Sequence, residues 1–297
     1  MVHILDIKTY LKCPKLYKET YGKNELTYNP YLRKDEGLTE LVMKKLKVKD
    51  AYIGQKDDTN EHSLKMLACH EWLLKARFEY EGLRVKVPFL KKTEDGYWLY
   101  FVQMQNYPKE EDLIYYYSLY HVLTKNKIKI KKIRIVHFNA NYRRGKALNP
   151  SELFEVSAHF YNESHLPQRK VLDVIKHYYY PYKDTMKKMN KTLNMEQVPY
   201  KKARKCIKKT RCILYDQCFK DERETEGDSI LTLMSSKYKL QMFQEGITLL
   251  KDADMNRAEK THVQLAQIQA SKNGGLFKDV QRLSQWLEKL DHRPLTF

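Results

Sequence analysis

Arg84–Gln105 reads RVKVPFLKKTEDGYWLYFVQMQ. Two runs rich in Val, Phe, Tyr and Trp, Arg84–Leu90 and Tyr97–Gln105, flank Lys91–Gly96, and the Asp95–Gly96 step between them is a hairpin signal. On the N-terminal side the period is helical. Leu64, Leu67, Ala68, Trp72 and Ala76 predict a helix over 61–79, and Leu38, Leu41, Val42 and Leu46 predict one over 36–48. Ile4, Ile7, Leu11 and Tyr17 share a face of an N-terminal helix that carries Asp6 in its first turn. On the C-terminal side, Leu113, Tyr116, Tyr117 and Tyr120 predict a helix over 110–124. Ile133 and Ile135 alternate with Arg134 and Val136 in a strand over 130–139, and a long helix is expected over 168–193. Helix, hairpin, helix and strand in that order predict an α/β, or α+β, core.

Beyond Gly227 every pattern is helical, which places a first domain at 1–225 and a helical appendix at 226–297. In the appendix, Tyr238 and Met242 lead into a Gly246–Ile247 turn between helices, reminiscent of helix-hairpin-helix elements that offer backbone N–H groups to phosphate, and explained equally well by a generic helical corner. Val263, Ala266 and Ala270 define a second helix, and Phe277, Val280, Leu283, Leu287 and Leu290 an apolar stripe on a third. That stripe packs on its own domain or docks a protein partner.

The chain has 297 residues, enough for one large or two modest domains, with 42% apolar and 31% charged residues. No run approaches the roughly twenty apolar residues a membrane span needs, and no signal-like segment opens the chain. A cytoplasmic chain without membrane contact is the expectation. Fifty-five Lys and Arg against thirty-seven Asp and Glu give +18, which makes polyanions the first partners to consider. The basic residues concentrate at Lys201, Lys202, Arg204, Lys205, Lys208, Lys209 and Arg211, where no acid occurs from Gln197 to Tyr215, and again at Lys125–Arg134 and at Arg143, Arg144 and Lys146. They are either a groove that tracks a phosphate backbone or the solvated face of a lysine-rich protein.

The first basic segment encloses Cys206, Cys212 and Cys218 at equal intervals. Nearby cations favour thiolates, the form that binds soft metals. Zinc ligands more often come as close pairs, so the spacing is a poor match for a zinc finger, although zinc remains the alternative ion. A cubane iron–sulfur (4Fe-4S) cluster needs a fourth thiolate, and Cys13, before Pro14, is the candidate. Cys69, alone on a helix, reads as core; three unrelated buried cysteines would explain the triplet equally well.

Tyr10-Leu11-Lys12-Cys13-Pro14-Lys15 near the N-terminus, the distant cysteine triplet and the hairpin–helix–strand core between them resemble the iron–sulfur members of the RecB-like PD-(D/E)XK nuclease superfamily, which includes AddB-type and CRISPR-associated adaptation nucleases. The chain is most similar to a bacterial family whose nuclease-like domain is followed by a helical linker and a DEDD exonuclease-like domain, the latter having no residues here. Ile135–Arg143, with His137, Asn139, Asn141, Tyr142 and Arg143, is similar to that family's strand-end motif, and Leu240–Thr248 to its linker. The resemblance implies a restriction-endonuclease-like fold, a cluster on Cys13, Cys206, Cys212 and Cys218, and nucleic acid, DNA ahead of RNA, as partner.

It also exposes what is missing. The superfamily's chemistry needs an Asp and a Glu to hold a divalent cation and a Lys beside the attacking water. Carried onto this hairpin, the Asp position falls on Pro88, the Glu on Phe101 and the Lys on Gln103; the upstream His falls on Leu38 and the helix Gln on about Leu119. The only acids in Arg84–Gln105 are Glu94 and Asp95, in the turn. The expectation is therefore a pseudonuclease that binds nucleic acid and needs no catalytic magnesium. The rivals are a protein–protein scaffold, an inactive subunit serving a separate nuclease or other enzyme through its C-terminal helices, and an active metal-dependent DNA nuclease whose site has moved to Glu110, Glu111 and Asp112.

Overall fold

The computed structural model describes residues 1–23, 36–207, 212–220, 227–258 and 261–289, and among these the fold is mixed α and β. The chain divides into two compact units, Met1–Pro199 and Tyr200–Phe297. The segment after Pro199, expected with the first domain, belongs by its packing to the second: Ile207, Tyr215 and Phe219 share a core with Ile230, Leu231 and Met242.

The first unit opens with β1 (Val2–His3), α1 (Ile4–Lys12), α2 (Pro14–Thr20) and α3 (Glu36–Leu46), followed by β2 (Ala51–Ile53), α4 (Asn60–Cys69), β3 (Trp72–Leu74), β4 (Arg77–Tyr80), β5 (Leu83–Lys86), β6 (Phe89–Thr93) and β7 (Gly96–Val102). Next come α5 (Leu113–Lys125), β8 (Ile130–Phe138), α6 (Pro150–Leu153), β9 (Phe154–Ser157), β10 (His159–Tyr161), β11 (Pro167–Lys170), α7 (Val171–His177) and α8 (Tyr182–Leu193). A six-stranded sheet in the order β2-β3-β6-β7-β8-β9 forms its centre, with β1-β5-β4 as a smaller sheet. The hairpin β6–β7 is antiparallel, and α5 then carries the chain over to β8, which pairs parallel to β7. A second parallel crossover joins β2 to β3 through α4.

Both faces of the central sheet are apolar, as a sheet covered on two sides requires. Side chains alternate, so Leu73, Leu90, Leu99, Phe101, Ile133 and Ile135 meet α5 and α7, while Trp72, Leu74, Phe89, Tyr100, Val136 and Phe154 meet Val42 of α3. The hairpin turn is tighter than its sequence implies: Thr93 pairs with Gly96, leaving only Glu94 and Asp95 in the loop. Gly96 takes φ +147°, and a Cβ there would lie 2.6 Å from the Lys129 carbonyl oxygen. The expected strand Arg84–Leu90 is two strands, β5 and β6, in different sheets. The switch falls at Pro88, which has no N–H to give; across from it Lys75 adopts φ +53° and donates its backbone N–H to the Pro88 carbonyl at 3.3 Å.

Three helical expectations need correction. The helix expected over 61–79 stops at Cys69. Trp72 and Ala76 lie beyond it, Trp72 on β3, because an apolar run buried on both faces has no period to tell strand from helix. Cys69 itself is exposed, not core. The single helix expected over 168–193 is β11, α7 and α8, broken at Tyr178–Pro181, where proline supplies no donor. The N-terminal helix breaks at Cys13, which is extended at φ −165° between α1 and α2, and Leu11 faces outward.

In the second unit, α9 (Tyr215–Cys218), α10 (Lys239–Gln244), α11 (His262–Lys272) and α12 (Val280–Leu287) are joined by 3-10 turns and a Ser229–Leu249 bridge. Gly246 ends α10 at φ +93°. The residues after it run into the bridge and a 3-10 turn rather than directly into a second α-helix, so the expected corner between two helices is absent there. On α11 the buried face is Gln264 and Ile268, not the Val263 face, because Gln264 closes a capping box with Thr261 and donates to the Met234 carbonyl at 2.8 Å.

Candidate nucleic-acid interface

The five positions onto which the resemblance carries the nuclease residues all lie in the first unit. Phe101 is 1% exposed, and its ring centroid is 4.2 Å from that of Tyr116 on α5. Gln103, two residues along the same strand, donates Nε2–H to the Tyr116 hydroxyl at 2.5 Å and to the Lys109 carbonyl at 3.2 Å, and its Oε1 accepts from the Lys109 backbone N–H at 3.2 Å. Burial pushes the Tyr116 hydroxyl up to about 12, against the Gln103 hydrogen bond, so it stays neutral. Leu119 is fully buried on the same helix. Phe101 and Leu119 belong to the buried core with Tyr116, and Gln103, half-buried, is hydrogen-bonded at its edge.

Pro88 and Leu38 instead line an open cleft of about 360 Å³. Its apolar lining includes Leu38, Val42, Phe89, Val102 and Met104, its cations are Lys8, Lys75 and Lys86, and His3 also lines it. Asp112 is the one carboxylate among the lining residues, and it accepts from Lys8 Nζ at 2.7 Å. The lining thus sets three lysines against one carboxylate. Burial holds the His3 imidazole below its ordinary range, with Lys86, Arg77 and Arg84 adding to the shift and Asp6 opposing it. His3 also caps α1, its Nδ1 accepting from the Leu5 N–H at 3.2 Å.

The acids proposed as a relocated site are engaged separately. Glu110 pairs with Arg169, Glu111 accepts from Gln105 Nε2 at 3.2 Å, and Asp112 is held by Lys8. His137 is buried, with Nδ1 against the Phe138 carbonyl at 3.0 Å, and Asn139 ties its loop to the Glu152 carbonyl and the Asn141 N–H. That strand-end motif does structural work in this fold.

Among the expected phosphate contacts, Arg143 and Arg144 are exposed on the loop after β8. In the second unit Lys201, Arg204 and Lys205 are exposed and Lys202 is half-buried over the Phe219 ring at 4.9 Å, while Lys208, Lys209 and Arg211 lie outside the described residues. Lys8, Lys75, Lys86 and His3 were not singled out by the sequence. Only the alternation of Arg84 and Lys86 on one strand hinted at them, because the cleft is assembled from α1, α3, the start of α5 and the bend at Pro88.

The donor chemistry of the cysteines suits a soft metal, and Cys13, Cys206, Cys212 and Cys218 are all half-buried. Cys212 donates its backbone N–H to the Cys206 carbonyl at 3.2 Å, and Cys206 and Cys218 pack against one core. Cys13 belongs to the first unit and the triplet to the second. Among the described residues no three His, Cys, Asp or Glu side chains are gathered as a metal site. Likewise no helix among them is long and apolar enough to cross a membrane.

No known family profile, curated protein or solved structure matches this chain.

Proposed function

We propose that this chain is a catalytically inactive PD-(D/E)XK-like protein that binds nucleic acid, DNA ahead of RNA, through basic surface that includes the Lys8, Lys75 and Lys86 cleft. The observation that carries the reading is the occupation of the metal-gripping positions. Phe101 and Gln103 are locked to Tyr116, and the carboxylate that does line the cleft, Asp112, already holds Lys8. Neither a phenyl ring nor an amide fixed in three hydrogen bonds can grip magnesium as carboxylates do. Lysines around a cleft give phosphate affinity without sequence reading. The hairpin, helix and parallel strand follow one another in the order that the resemblance implies. In this reading Cys13, Cys206, Cys212 and Cys218 hold an iron–sulfur cluster, with zinc as the alternative. The group would act as a structural tie between distant parts of the chain.

Titration of labelled DNA and RNA across a range of salt tests the binding. Affinity should fall log-linearly with salt, and Lys75→Ala with Lys86→Ala should reduce the slope by about 1.4–1.8, at roughly 0.7–0.9 per lost phosphate contact. Binding that ignores salt, or is absent, overturns the reading. Manganese-dependent cleavage that survives rigorous purification would revive the active nuclease. A second reading, an inactive subunit that docks another protein, is favoured by the exposed Val280, Leu283, Trp286 and Leu287 on α12; salt-insensitive association with one protein would support it.

A further inference from the structure

A second cavity in the first unit, of about 270 Å³, differs in chemistry from the basic cleft. Its walls are the rings of Tyr80, Tyr117, His121, Tyr179, Tyr180 and Tyr182. They come from the end of β4, the exposed side of α5 and the break between α7 and α8, so the proline that interrupts the expected long helix also builds this wall. The rings are fixed by their far ends: the Tyr182 hydroxyl is 2.7 Å from Ser118 Oγ, and that of Tyr180 is 2.9 Å from Thr185 Oγ1. Tyr117 stacks parallel to Tyr182 at 5.8 Å, and Tyr180 stands edge-on to Tyr182 at 5.0 Å. Tyr179 is 76% exposed, whereas the other lining tyrosines are half-buried or buried.

The charges lining the cavity are Glu81, Asp184 and Lys183, and Lys183 is paired with Glu81 at 3.1 Å. Burial, reinforced by Lys125 and opposed by Glu81, keeps the His121 imidazole below its ordinary range, so it adds no positive charge near neutrality. The lining residues carry a net −1 inside a chain of +18, and one further cation, Lys125, stands 5.8 Å from the centre of the Tyr80 ring. A phosphate would meet two carboxylates and one committed lysine. A cation would meet aromatic faces, whose quadrupoles are negative, and two acids, Asp184 and the Lys183-paired Glu81. An unmodified ammonium holds its water tightly, whereas N-methyl groups shed water and present a diffuse charge that matches ring faces. From this we infer that the tyrosine cavity between β4, α5 and α8 is a binding site for an N-methylated ammonium cation, free as in choline or carried on a methylated lysine side chain.

The test titrates the full-length protein with tetramethylammonium, choline and a trimethyl-lysine peptide, read by tyrosine fluorescence and calorimetry. The control is 3,3-dimethylbutan-1-ol, the neutral carbon analogue of choline. Saturable binding of the cations, at least about tenfold tighter than the neutral analogue, is expected. Glu81→Gln with Asp184→Asn should weaken it by about tenfold, and Tyr179→Ala, at an exposed ring, should weaken it without altering the far-UV circular dichroism. Tighter binding of the peptide assigns the source to a modified protein tail; equal or tighter choline binding assigns it to a small molecule. The inference fails if the neutral analogue binds as well as choline, if no cation saturates, or if adenosine monophosphate displaces the cation.

Discussion

Phe101→Glu puts the nuclease-like carboxylate back at the position where the resemblance expects it, and the structure sets the outcome. The ring is 1% exposed and lies against Tyr116 at 4.2 Å and Tyr115 at 5.9 Å. Removing a buried Phe costs about 3–5 kcal/mol in lost transfer and cavity terms, which sets the scale for Phe101→Ala. Glutamate loses the same packing and in addition leaves a charge without a partner, which costs several kcal/mol more unless it takes up a proton. The sum competes with a total stability of about 5–15 kcal/mol. Urea unfolding followed by circular dichroism should therefore rank the parent well above Phe101→Ala, and Phe101→Ala above Phe101→Glu at pH 7. The buried carboxyl has its pKa raised, so the Phe101→Glu deficit should shrink as pH falls below that raised value. Millimolar magnesium should not shift the midpoint of the parent. A Phe101→Glu protein as stable as the parent at pH 7, or a parent stabilised by magnesium in proportion to its concentration, would refute the reasoning, since either needs a pocket already able to hold charge at this face.

The His3 cap gives a pH dependence of known sign. Its folded-state pKa lies below the unfolded value near 6.5, so its contribution is complete above that pH and is lost as pH falls through the window beneath it. Thermal melts from pH 7.5 to 5 should show this fall, and His3→Asn, which keeps a cap but cannot titrate, should flatten it; an unchanged profile in His3→Asn would count against the assignment. Gly96→Ala forces a Cβ against the Lys129 carbonyl at positive φ and should cost on the order of 1–3 kcal/mol, read from the urea midpoint, with near-parental stability as the contrary result. Anaerobically purified protein should carry iron and absorb broadly near the violet–blue boundary, and Cys212→Ala should lose both. Colourless protein holding zinc would replace the cluster but keep the four ligands, whereas protein free of either metal would remove the site.

The hairpin around Asp95–Gly96 and the helix and strand after it were legible because each carries its own local signal: a turn dipeptide, then a change of period from two to nearly four. Phe101 and Gln103 could be placed on one face for the same reason, since alternation along a strand is fixed by backbone geometry. Residues Trp72–Leu74 were not legible, because a strand buried on both faces has no alternation to read. Nor was the division of Arg84–Leu90, where Pro88 acts only through the partner strand it faces. The apolar spacing likewise foretold that α12 would have an amphipathic face and left open whether it is covered; Val280, Leu283, Trp286 and Leu287 stand exposed. What the amino-acid order determined alone was the local grammar and the absence of carboxylates from the hairpin strands. Tertiary structure decided what fills their place, which lysines share a cleft and which tyrosines enclose a cavity, because those neighbours are far apart along the chain and only packing brings them together.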